Sequence, residues 1–250
     1  MLSLILHLIV PMFFYSGVTS FLFLGLKMDA LAATAFAAVV CAPLFYGIYG
    51  MDQKKRGIGK AISLKLHGCF FLILLFGAAL CVCGNELIAL LKLTDSSQTY
   101  DEVRAALYTP PVPVQILASG FLIPVTEELI FRGLCFPALR DRLSFLPSAV
   151  LSAALFGIYH GNLPQGVYAF LIGMTAAWLY EITKTLLAAI LLHMSANLLS
   201  LLVTNTVFAG MLFETEKKTA VAAAAALSFA VSIVCAIRIY SKNKLKEDMV

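Results

Sequence analysis

Charge is what this chain has least of. Only 13% of its 250 residues are Asp, Glu, Lys or Arg, 61% are hydrophobic, and the mean hydropathy is +0.92. Soluble domains carry about 25% charged residues, so a water-soluble globule is excluded and an integral membrane protein is indicated. Histidine is scarce too, with four in all, and no His-Glu-x-x-His pair occurs, so the familiar zinc-peptidase helix is absent. The first apolar run, residues 2–26, has no basic stretch ahead of it and exceeds the ~7–15 apolar residues of a secretory signal, so it reads as a retained spanning helix. Repeats, disordered linkers and shifts of composition are missing, and residues 1–250 read as a single membrane domain. The six cysteines lie in or at the ends of apolar runs. Cys81 and Cys83 would point their thiols roughly 200° apart on a helix, which makes a poor metal clamp and leaves packing as the role of all six.

What is there is apolar length. A spanning helix needs roughly 20 mostly apolar residues. Eight runs qualify, at about 2–26, 31–50, 68–91, 112–139, 146–161, 166–182, 185–206 and 220–240, the fifth and sixth being short. The fold class is therefore all-α and polytopic. Twelve basic residues fall in the loops and tail on one side and five on the other. The excess puts both termini in the cytoplasm, which an even number of passes also requires. The basic segment from Met51 to His67 would lie along the inner surface. The loop from Leu93 to Pro111 is the acidic outer one, and Pro110-Pro111-x-Pro113 delivers the chain into the fourth run.

Inside that fourth run sits Pro124-Val-Thr-Glu127-Glu128-Leu-Ile-Phe-Arg132-Gly133. Ionisable groups at membrane depth are expensive and indicate function by default. Glu128 and Arg132 are four apart with the acid first, the favourable order for an ion pair. Glu127 is rotated about 100° from Glu128 and is left facing a cavity. Pro124 should loosen the backbone one turn earlier and bend the helix beside the site. The fifth run ends in Phe156-Gly-Ile-Tyr-His160 and the seventh contains His193-Met-Ser-Ala-Asn197, each pair one turn apart. Counted from the basic ends of their helices, Glu127, His160, His193 and Asn197 fall about 14–21 Å deep. Four polar groups from three helices thus share one slab at mid-membrane. Helices 1–3 read as free of intramembrane charge. His7 and His67 lie near helix ends and receive no role, Glu181 and Lys184 read as a solvated boundary, and Tyr159 and Asn162 as packing.

A carboxylate and a histidine can share a water, the glutamate taking its proton as general base. A second histidine with an amide can stabilise the oxyanion formed at an attacked carbonyl. Peptide hydrolysis then needs no nucleophilic serine, and Ser195, two residues from His193, points off that face. Zinc is the alternative, with Glu127, His160 and His193 as three ligands and water as the fourth.

At these residues the chain resembles the CAAX-processing and bacteriocin-processing (CPBP, or Abi) family of intramembrane proteases. Its three motifs are matched by Glu127-Glu128-x-x-x-Arg132, Phe156-x-x-x-His160 and His193-x-x-x-Asn197, in order, across about residues 118–205, with residues 1–111 as preceding helices. The resemblance implies a metal-free endopeptidase with Glu127 as base, His160 as its water-positioning partner and His193 with Asn197 as oxyanion stabilisers. Glu128, Arg132 and Phe156 would shape the site. One departure is Ala188-Ala189, where members often carry a proline that bends the helix. The implied partners are the bilayer and a membrane-associated peptide or protein, with no nucleic acid, in a bacterial cytoplasmic membrane. Two other readings stay open: a proton-coupled carrier using the same groups as a relay, and a non-catalytic immunity or scaffold protein.

Overall fold

The computed structural model describes residues 2–58, 66, 68–95, 97–206 and 218–247, and among them the regular structure is helical throughout. His67 and residues 59–65 of the basic segment expected along the inner surface lie outside the described residues. Among the described residues, seven helices are long and apolar enough to cross a membrane: α1 (Ile5–Gly25), α2 (Ala30–Lys55), α3 (Phe70–Leu90), α5 (Val112–Arg140), α7 (Leu163–Thr183), α8 (Leu186–Thr204) and, within α9 (Lys218–Glu247), the stretch Ala222–Leu245. This is an integral membrane protein. The eighth apolar run forms α6 (Phe145–Tyr159), whose 15 residues rise only about 22 Å, short of the ~30 Å hydrocarbon core. The acidic loop between α3 and α5 carries a helix that its composition concealed, α4 (Gln98–Tyr108), started by Ser97 accepting a hydrogen bond from the Tyr100 N–H at 3.3 Å.

α5 is the central element. In its most apolar stretch 61% of residues are buried, against 11% in α1 and 22% in α9. α2 lies along it on one side and α8 on the other, while α6 and α7 form a hairpin beside its second half. α3 backs α8, and α9 covers α3 from outside. Short, sterically demanding turns set these directions. Gly161 (φ +70°) turns the chain between α6 and α7, and Asn162 then caps α7 by accepting from the Gln165 N–H at 3.0 Å. Two residues, Lys184 and Thr185, suffice between α7 and α8, with Lys184 left-handed at φ +53°.

Ion pairs and hydrogen bonds gather the basic ends of the helices. His7 meets Asp52 at 2.7 Å, Arg56 meets Asp141 at 2.7 Å and Arg140 meets Glu181 at 2.8 Å, while Lys242 donates to the Gly68 carbonyl at 3.0 Å. Residues close to both ends of the described chain therefore sit at one end of the bundle, as eight alternating passes require. Glu181 is thus engaged by Arg140 rather than merely solvated, and His7 ties α1 to α2. All six cysteines are free thiols and five are buried, which suits packing. The expectation that the first three helices are free of charge fails at Glu86. That residue is 6% exposed, four residues before the end of α3, and its Oε1 has no partner among the described residues.

Candidate functional site

The local shape of α5 comes from two prolines. Each proline lacks an N–H and crowds the carbonyl four residues back; for Pro124 and Pro137 that residue is glycine, Gly120 and Gly133. Before each proline the helix widens into a π-turn, at Ile116–Leu122 and Leu129–Cys135. The Ile123 N–H reaches back five residues to the Ala118 carbonyl, and the Phe136 N–H to that of Phe131. Glu127 and Glu128 occupy the short α-helical stretch between the two widenings, Ile123–Glu128. Such π-turns are frequent at functional sites. Neighbours brace them: Ser152 on α6 donates to the Phe131 carbonyl at 2.9 Å, and Thr126 to the Ala38 carbonyl of α2 at 3.2 Å.

Glu128 is the junction of the site. Its Oε1 takes Arg132 Nη1 at 3.1 Å and His193 Nδ1 at 2.9 Å, and both Glu128 and Arg132 are fully buried. The expected one-turn pair is present, with an imidazole added. An ionised carboxylate only accepts, so His193 carries a hydrogen on Nδ1 and turns Nε2 away from Glu128. That Nε2 lies 3.8 Å from Glu127 Oε2. The Glu127 carboxylate makes no hydrogen bond among the described residues, and its residue is 6% exposed.

Phe156 holds the cationic and imidazole groups together. The guanidinium of Arg132 stands 4.5 Å from its ring centroid, the His160 ring 4.9 Å away and the His193 ring 5.6 Å away. Gly173 on α7 makes room for this stack, because a Cβ there would lie 2.5 Å from Arg132 Nη2. Arg132 Nε and Nη2 and Glu128 Oε2 have no hydrogen-bond partner among the described residues. His160, at the end of α6, donates from Nδ1 to the Phe156 carbonyl at 2.8 Å, which leaves its Nε2 as the unengaged nitrogen.

The helices thus bring Glu127, Glu128, Arg132, Phe156, His160 and His193 into one contiguous group. The imidazole standing next to Glu127 is that of His193, whereas the sequence reading paired Glu127 with His160. Asn197, one turn along α8 from His193, donates to the Ser119 carbonyl of α5 at 2.8 Å. Ser195 points away, donating to the Leu74 carbonyl of α3 at 2.6 Å. Tyr159 packs on Tyr15 and Phe131, with ring centroids at 6.3 and 5.7 Å. α8 is continuous through Ala188-Ala189. No group of three His, Cys, Asp or Glu side chains among the described residues is arranged to hold a metal ion. Sequence reasoning missed Gly173 and Ser152, which carry no local signal. It also read only half of the Gly-x-x-x-Pro pattern, noticing Pro124 but neither Gly120 nor the second copy at Gly133 and Pro137.

Residues 109–199 match the family model described as type II CAAX prenyl endopeptidase Rce1-like. Through this segment the chain is similar to the CPBP family. The matched segment runs from just before α5 to most of α8 and so contains every residue of the group above, with Asn197. The chain is 33% identical over 146 residues to a Bacillus subtilis protein, YdiL, named as a candidate membrane peptidase; the match covers 58% of this chain and 57% of that protein. It is 30% identical over 90 residues to YxdF of Lactococcus lactis, covering 35% of this chain and 49% of that one. The chain thus spans only about half of the length of these relatives. No solved structure matches it significantly.

Proposed function

We propose that this protein is an intramembrane endopeptidase in which Glu127 activates a water for attack on a peptide carbonyl. The observation that carries the reading is Glu127 itself. Its carboxylate lies at the middle of the central helix, slightly exposed and without a hydrogen bond among the described residues, 3.8 Å from an imidazole whose tautomer Glu128 fixes. Glu127 takes the water proton as hydroxide adds to the carbonyl carbon, then returns it to the leaving amine nitrogen as the C–N bond breaks. His160 Nε2 accepts from the water and orients it. His193, when it carries hydrogens on both nitrogens, donates Nε2–H to the oxyanion, and Asn197 contributes the amide hydrogen not engaged by Ser119. Glu128 and Arg132 hold His193 at the required angle. The substrate is a membrane-associated peptide or protein. The two relatives come from bacteria, which supports a bacterial cytoplasmic membrane as the setting, with the basic end of the bundle and both termini facing the cytoplasm.

The test is cleavage of a library of membrane-associated peptides by the purified protein, with and without a chelator. Glu127→Gln should lower the rate by roughly 10²–10⁴-fold, and His160→Ala should also impair it, both indifferent to chelator. Cleavage by Glu127→Gln at the wild-type rate would refute the role of Glu127. Loss of wild-type activity on chelation would replace the metal-free scheme by zinc held through the same carboxylate and imidazoles.

A further inference from the structure

About 16 Å beyond Glu127 along α5, at the basic end of the bundle, lies a cleft of about 360 Å³. It is bounded by His7 of α1, by Asp52, Lys55 and Arg56 at the end of α2, and by Asp141 and Arg142 just after α5. Both of its carboxylates are already engaged. Asp141 accepts both arms of the Arg56 guanidinium, Nε at 3.3 Å and Nη2 at 2.7 Å, and Asp52 takes His7 at 2.7 Å and Lys55 at 3.7 Å. Among the described residues, the three permanent cations Lys55, Arg56 and Arg142 against two acids leave a surplus of one positive charge. The surplus is concentrated on Arg142, which has no side-chain partner among the described residues, and on Lys55, whose side chain is 79% exposed.

The depth of the cleft selects the ligand. α2 and α5, both membrane-spanning, end at its rim, so it opens at the level of lipid headgroups. Basic pockets between spans at this level bind anionic headgroups. A phosphodiester carries one negative charge, which matches the surplus, and its two unesterified oxygens fit the fork of a guanidinium. We propose that this cleft binds the phosphate of an anionic lipid headgroup, or a free phosphate of the same chemistry. Arg142 and Lys55 supply the contacts, and Arg56, fixed by Asp141, forms the wall.

The test uses the full-length protein in detergent, offered phosphatidylglycerol or phosphatidylcholine and examined by native mass spectrometry, with Lys92→Gln as a control at the other end of the bundle. Wild type and Lys92→Gln should retain one phosphatidylglycerol and no phosphatidylcholine. The double variant Lys55→Gln/Arg142→Gln should bind phosphatidylglycerol about tenfold or more weakly. Its unliganded melting temperature shows that it is folded; should it prove unstable, Arg142→Gln alone serves. Inorganic phosphate provides the second arm: if it raises the melting temperature of wild type but not of the double variant while phosphatidylglycerol does not, the ligand is free phosphate. Equal retention of phosphatidylglycerol by wild type and the double variant, or retention of phosphatidylcholine as strongly as phosphatidylglycerol, overturns the proposal.

Discussion

Arg132 is a demanding residue, a fully buried cation whose single hydrogen-bonding partner among the described residues is Glu128 and whose other face rests on an aromatic ring. Breaking a buried ion pair by removing one member strands the other and costs about 3–5 kcal/mol, whereas replacing both with apolar groups can be close to neutral. Arg132→Leu should accordingly lower the melting temperature far more than Glu128→Leu/Arg132→Leu does. The double variant should nevertheless remain inactive on peptides, because His193 loses the carboxylate that fixes its tautomer. Melting curves and cleavage rates measured on the same two preparations check both statements, and equal stability of the two variants would refute the pairing argument. The one-turn pair was legible in the sequence because helix geometry alone dictates it. The third member, His193, was not, because its contact with Glu128 depends on how α8 is rotated against α5. That rotation is set by close approaches such as Gly77 of α3, where a Cβ would meet the Leu192 carbonyl.

At the scale of the element, α5 is a helix interrupted twice in the same manner, and the two glutamates lie between the interruptions. A π-turn accommodates one more residue than a regular turn, so it re-aims everything on one side of it by about 100° relative to the other. Pro124→Ala restores an N–H that can bond to the Gly120 carbonyl and lets the regular helix run through. We expect this variant to melt within a few degrees of wild type yet to lose peptide cleavage at least about tenfold. The reason is that Glu127 and Ser119, the anchor of Asn197, would no longer hold their relative angle. Retained activity together with a regular helix at 116–122, seen in a structure of the variant, would show that the widening is incidental. The apolar runs, the span of α5 and the effect of Pro124 could be read in advance because they follow from local sterics. α4 could not, since its polar composition resembles a loop until the Ser97 cap is noticed, and Glu86 was masked by its closeness to the end of its run.

For the whole molecule, the network from His7 through Asp52, Arg56, Asp141, Arg140 and Glu181 gathers α1, α2, α5 and α7 at one end, and Lys242 joins α9 to the residues preceding α3 there. Tags placed at the two termini should therefore show the same accessibility: both cut by protease added to inside-out vesicles and both protected in right-side-out ones. Opposite accessibility of the two tags would mean that α6 does not count as a pass. Eight alternating helices were legible from hydropathy and loop charge. The shortness of α6 was legible as well, though its bearing on the membrane emerges only once its neighbours are known.

That bearing is mechanical. α6 presents Leu146, Leu151 and Ile158 outward, 61%, 45% and 74% exposed, on a helix roughly 8 Å shorter than the hydrocarbon slab it occupies. Acyl chains next to such a helix compress or tilt to cover it, so hydrophobic mismatch thins the bilayer beside the hairpin that carries His160. On the proposed reading, Glu127 would be approached through this local dimple, where headgroup water is nearer and an extended peptide has less oil to cross.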